Sequence, residues 1–127
     1  MRLMGIDFGT KRVGIAISDE EGRLAFPHTT LPNTDVLLKA ILEIARKEDV
    51  KVIVIGESID PKGGHNILME PIQRFRESLA QGSGLSTYLE PEFWSSVEAA
   101  RFQGEKDDAS AAAIILERFI TKHPHAS

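Results

Sequence analysis

Val13, Ile15 and Ile17 alternate with the small residues Gly14, Ala16 and Ser18, a period of two that predicts a strand. The apolar segment Arg2 to Asp7 precedes it and ends at the turn Phe8-Gly9-Thr10-Lys11, so the two segments are expected to form a hairpin. Asp19-Glu20-Glu21-Gly22 is a polar turn, after which Arg23 to Pro27 is expected to add a third strand. From Thr34 the period changes to that of a helix. Leu37, Ala40, Ile41, Ile44 and Ala45 form one stripe, which predicts a helix to about Lys47 with Asn33 or Thr34 as its cap. The β-branched run Lys51 to Gly56 predicts a strand buried on both faces. Glu57 to Asn66, with Pro61, Gly63 and Gly64, is expected to be a loop.

A second helix is predicted from near Glu70, with Pro71 in its first turn, through Ile72, Phe75 and Leu79. Gly82-Ser83-Gly84 ends it, and Leu85 to Leu89 suits a short strand. Ser95 or Ser96 can cap a segment running through Val97 to Arg101 and closed by Gly104. The final helix is predicted from about Asp107 to Thr121. A hairpin followed by alternating strands and helices implies an α/β fold with a mixed sheet flanked by helices.

At 127 residues the chain is expected to form one domain over positions 1–127. It has no cysteine, which removes thiol nucleophiles, disulfides and cysteine-ligated metals, so a bound metal would take oxygen or histidine ligands. The net charge of −4 argues against nucleic-acid binding through bulk charge, while leaving open an acidic site that meets phosphate through divalent cations. Apolar runs are short, with no transmembrane segment, and the N-terminus MRLMGIDFG is not a secretory signal; a cytoplasmic protein is expected.

Three acidic positions stand out. Asp7 closes an apolar strand next to Gly9, where its alternative is a turn aspartate bonding its own backbone. Asp108 heads a helical face continued by Ala111, Ala112, Ile115 and Phe119, so its carboxylate is aimed at the sheet. A carboxylate there is costly unless paired or metal-bound. The alternative, an acid favoured by the helix dipole, suits Asp107 better. Glu90-Pro91-Glu92 follows the predicted last strand, so Glu90 or Glu92 is expected near Asp7; an exposed acidic corner is the alternative. Glu98 reads as a solvated helix residue. Such a carboxylate cluster suits Mg²⁺ or Mn²⁺.

GIDFGTKRVGIAISD, the Gly56…Gly63-Gly64 loop, the stretch from Trp94 to Ala99 and Lys106-Asp107-Asp108-Ala109-Ser110-Ala111-Ala112 together resemble the YqgF family over nearly the whole chain. The resemblance implies a ribonuclease H-like, five-stranded mixed sheet with its first three strands antiparallel. It also implies a metal-dependent nuclease that processes the 5′ end of pre-16S ribosomal RNA, or a resolvase of branched DNA junctions. The family's catalytic acids fall on Asp7, Glu92 and Asp108, which would hold the metal. Around Glu92 the chain departs from the family motif: Pro91, Phe93 and Trp94 replace its Asp, Arg and Leu, and Glu57 stands at a usually apolar position. A member that binds nucleic acid without cutting it is the alternative.

Thr10, Lys11 and Arg12 on the first turn, Gly63 and Gly64 through backbone N–H groups, and Lys106 are the candidate nucleic-acid contacts. Each has a plain surface role as its alternative, as do Lys62, His65 and Arg101. Phe93 and Trp94 suit base stacking or core packing. The expected partner is structured RNA or branched DNA, met by a monomer or a weak homodimer.

Overall fold

The computed structural model describes residues 1–59, 69–93 and 108–123. Its strands are β1 (Arg2–Phe8), β2 (Arg12–Ser18), β3 (Ala25–Pro32), β4 (Val50–Ile59) and β5 (Ser86–Phe93). Its helices are α1 (Leu37–Lys47), α2 (Met69–Ser83) and α3 (Asp108–Lys122). One five-stranded sheet has the order β3-β2-β1-β4-β5. β1 pairs antiparallel with β2, and β2 antiparallel with β3, while β4 runs parallel to both β1 and β5. The expected mixed sheet with three leading antiparallel strands is present.

Strand alternation divides the core between the two faces. Met4, Ile6, Val13, Ile15, Ile53 and Ile55 pack with Leu37 and Ile41 of α1 and with Ile72 and Leu79 of α2. Leu3, Ala16, Val52 and Val54 lie on the other face against Ala112, Ala113, Ile115, Leu116 and Phe119 of α3. The β4 run is therefore buried on both faces, as its β-branched sequence predicts.

Several boundaries differ from the sequence expectation, among them the start of β3 at Ala25 in place of Arg23 and the end of α2 at Ser83. β3 extends past Pro27 to Pro32 with a register shift opposite Ile15 and Ala16, and β5 extends past Leu89 through Pro91 to Phe93. Both are edge strands, where alternate N–H groups face away from the sheet and a proline removes no ladder bond. β4 continues to Ile59 because Gly56 to Ile59 find partners in Glu90 to Phe93. α1 starts at Leu37 with Val36 at its cap position and no side-chain cap bond. Asn33, expected as a cap, instead donates its side-chain Nδ2 to the Gly9 carbonyl at 2.7 Å and its backbone N–H to the Lys11 carbonyl at 2.9 Å. Its amide holds the β1–β2 turn in place of capping the helix.

The expected segment from Ser95 to Gly104 lies outside the described residues. Among the described residues no helix is long and apolar enough to cross a membrane.

Candidate functional site

Leu3 packs against α3, and Gly5 and Asp7 follow it at intervals of two, so Asp7 belongs to the α3 face of β1. Its direct partner across the hairpin is Gly14. A Cβ on residue 14 would stand 1.8 Å from the backbone oxygen of Asp108 and 2.1 Å from its carbonyl carbon. The first turn of α3 thus rests on the bare backbone of β2 beside Asp7, an approach that only glycine allows. Gly5 gives the same clearance one pair along, where a Cβ would lie 2.8 Å from the Ala112 oxygen and 2.8 Å from Leu116 Cβ. Gly5 pairs with Ala16, so small residues from two strands form the track on which α3 lies. Asp7 and Asp108, from opposite ends of the chain, meet at the end of that track.

Their proximity has an electrostatic signature. Burial, and after it the charge of Asp108, raise the Asp7 carboxyl from 3.8 to about 6. Asp108 is relieved differently: the Arg12 guanidinium lies with Nε 3.1 Å from its Oδ2. The Arg12 side chain is 72% exposed and that of Asp108 31%. Thr10 and Lys11 are also exposed on the turn that Asn33 clamps. The first turn and the two aspartates are therefore brought together.

Of the two glutamates proposed for the third position, the structure describes the surroundings of one. Glu90 sits opposite Gly56, one residue beyond the row formed by Ile6, Ile55 and Leu89, which puts it level with Asp7 but two strands away. It is 2% exposed, and the Lys122 ammonium donates to its Oε2 at 2.5 Å. Lys122, at the last turn of α3, is the partner that sequence patterning missed; no helical or strand periodicity links positions 90 and 122. The Glu92 backbone pairs with Ser58 in β5, and its side chain lies outside the described residues. Gly63, Gly64 and Lys106, with Lys62, His65, Trp94, Glu98, Arg101 and Asp107, also lie outside them.

Among the described residues no group of three metal-ligating side chains is present. The pair Asp7 and Asp108 nevertheless fits a hard divalent cation, which takes carboxylate oxygens and completes its shell with water or phosphate oxygens. Such an ion would offset the charge of Asp108, which adds to the burial that holds the Asp7 carboxyl high.

The family model described as "RuvX: Holliday junction resolvase" matches residues 1–122. A curated relative from Maridesulfovibrio salexigens, named "Putative pre-16S rRNA nuclease", is 34% identical over 96% of this chain and 99% of its own length. One of the same name from Rickettsia typhi is 34% identical over 91% of this chain and 81% of its own. Among solved structures, Thermus thermophilus RuvC superposes with a TM-score of 0.65 at 15% identity, covering 98% of this chain and 97% of that one. The fowlpox virus Holliday junction resolvase superposes with a TM-score of 0.60 at 13% identity, covering 96% and 99%. These two likenesses show the fold, the ribonuclease H-like arrangement of RuvC. The sequence matches go further: the chain belongs to the RuvX family of nucleases.

Proposed function

We propose that this protein is a divalent-metal-dependent nuclease that hydrolyses phosphodiester bonds in structured RNA, with 5′-end processing of pre-16S ribosomal RNA as its role. The observation that carries the reading is the meeting of Asp7 and Asp108 on the Gly14 backbone. Building a close acidic pair raises the energy of the ionised site, and the pair is placed where a helix start meets a strand end. The RNA substrate follows the names of relatives that match nearly the whole chain.

Asp7, Asp108 and Glu92 are the proposed ligands of Mg²⁺ or Mn²⁺, bound as a pair of ions. When bound, such ions activate a water and stabilise the leaving oxygen of a phosphodiester. The chain's own residues do the rest. Asp7, rigid within the sheet, and Asp108, fixed by the backbone contact at Gly14, hold the oxygen donors at one spacing. Thr10, Lys11 and Arg12 receive the substrate backbone on the turn clamped by Asn33. Gly63, Gly64 and Lys106 are proposed as further phosphate contacts. Because Glu90 is held by Lys122, Glu92 is the better choice for the third acid.

A four-way DNA junction is the second substrate reading, favoured by the family description and by the RuvC-like fold. The test is cleavage of a pre-16S 5′-leader RNA and of a junction, each with Mg²⁺ and Mn²⁺. Asp7→Asn and Asp108→Asn are expected to abolish cutting while both variants remain folded by circular dichroism. Full activity in both variants overturns the assignment. Cleavage of the junction alone transfers it to DNA.

A further inference from the structure

The Arg12–Asp108 contact is made by a side chain that two other demands compete for. Arg12 opens β2, and its backbone follows a turn fixed from outside by the two Asn33 hydrogen bonds. The root of the side chain is therefore held while its head, mostly in solvent, is free to leave. The contact with Asp108 is an ion pair, 3.1 Å between Nε and Oδ2, and an exposed pair of that kind is weak. Asp108 is also one half of the acidic pair, and Asp7 has no cationic side chain in an ion pair with it among the described residues. One carboxylate of the pair is thus neutralised by a detachable cation belonging to the protein itself.

We propose that Arg12 is a place-holder cation: it occupies Asp108 when no metal is bound, competes with the divalent ion for that carboxylate, and on being displaced turns its guanidinium to a substrate phosphate. The inference rests on the metal reading of Asp7 and Asp108 given above. It makes metal entry and phosphate binding mutually favourable, because the guanidinium cannot serve Asp108 and a phosphate together. It also predicts opposite signs for one substitution, with the metal bound more tightly and the nucleic acid more weakly. A residue whose only role is structural would shift neither quantity in this paired way.

Calorimetric titration of Mn²⁺ into the full-length wild type and into the Arg12→Gln, Lys11→Gln and Asp7→Asn variants tests this. Arg12→Gln is expected to tighten Mn²⁺ binding by roughly 3- to 5-fold. Lys11→Gln removes the same charge one residue away without freeing Asp108, and is expected to change it by less than about 2-fold. In parallel, the affinity for a short RNA, measured in Ca²⁺ to prevent cutting, falls in Arg12→Gln. Equal Mn²⁺ affinities in Arg12→Gln and wild type, with binding lost in Asp7→Asn, overturn the place-holder role and leave the metal reading standing. Equal gains in Arg12→Gln and Lys11→Gln reduce the effect to general electrostatics and also overturn it. No Mn²⁺ binding in any of the four proteins overturns both ideas together.

Discussion

The two faces of the sheet use side chains of different size. On the face toward α1 and α2, each strand contributes large aliphatic groups, among them Met4, Ile6, Val13, Ile15, Ile53 and Ile55, and the Phe8 and Phe75 rings meet at 5.2 Å near its end. On the α3 face, beyond Leu3, β1 and β2 present the small residues Gly5, Gly14 and Ala16 beside Asp7, with Asp108, Ala109 and Ala112 of the helix against the two glycines. Large groups keep helices at a distance and bury more apolar area, so the first face supplies most of the hydrophobic stabilisation. Small groups let the α3 backbone touch the sheet, which positions Asp108 beside Asp7. One face is built for stability, and the other gives up buried area to fix the spacing between two carboxylates.

Substitutions can separate these two functions of the sheet. The largest effect is expected from Gly14→Ala, whose new Cβ meets the Asp108 backbone, which has no rotamer to relieve it. A loss of about 3 kcal/mol or more is expected in urea denaturation, together with loss of cleavage, because α3 must lift away from Asp7. Ile53→Ala, on the opposite face, is fully buried and is expected to cost about 2–4 kcal/mol. Its Mn²⁺ affinity in calorimetry should stay within about 2-fold of wild type, since nothing at the acidic pair moves. If both variants lose metal binding equally, the division of labour between the faces fails.

Lys122→Met tests the far end of α3. It leaves the buried Glu90 carboxylate without its ammonium, and a loss of about 1–3 kcal/mol is expected in thermal or urea unfolding. Adding Glu90→Gln to that variant should restore part of the loss, since the buried group is then uncharged.

The smallest effect is also the one with a pH signature. The Asp7 carboxyl is raised above its unfolded value of 3.8, so the native state holds that proton more tightly than the unfolded chain does. Below about pH 3, under both values, the carboxyl is protonated in both states and Asp7→Asn changes little. As pH rises through the interval up to about 6, ionisation costs native stability in the wild type but not in the variant. Asp7→Asn is therefore expected to be more stable by about 1–2 kcal/mol at pH 8, with allowance for partial exposure, and equal to wild type near pH 3. Melting curves at the two pH values check this. Saturating Mn²⁺ should reverse the order at pH 8, since only the wild type would then gain from the ion.

The elements that the sequence made legible are those whose environment is repeated along the chain. β2 is half large and half small because its two faces meet different helices, and that alternation is visible as Val13-Gly14-Ile15-Ala16-Ile17. The β-branched run of β4 marks a strand covered on both sides. Helical spacing from Asp108 places Ala112, Ile115 and Phe119 on the buried face of α3 with Asp108 at its head, while Ala111 is only half-buried and Ala109, Ala113 and Leu116 complete the face. Asp7 was legible for a related reason, as a charge ending an apolar strand beside a glycine turn.

What the tertiary structure alone decided concerns neighbours far apart in the chain. Pro27 and Pro91 look like strand terminators, but whether a proline ends a strand depends on whether that strand lies at an edge, and only the order of the finished sheet determines this. Asn33 reads as a helix cap until folding brings the Gly9 carbonyl within its reach. The Arg12–Asp108 and Glu90–Lys122 pairs each join residues from distant segments, and long flexible side chains leave no periodic trace of the partners they reach. Local patterns determine which residues share a face, because backbone geometry repeats every two or 3.6 residues. Which charge meets which depends on sheet order and helix crossing, and these are settled by packing across the whole chain.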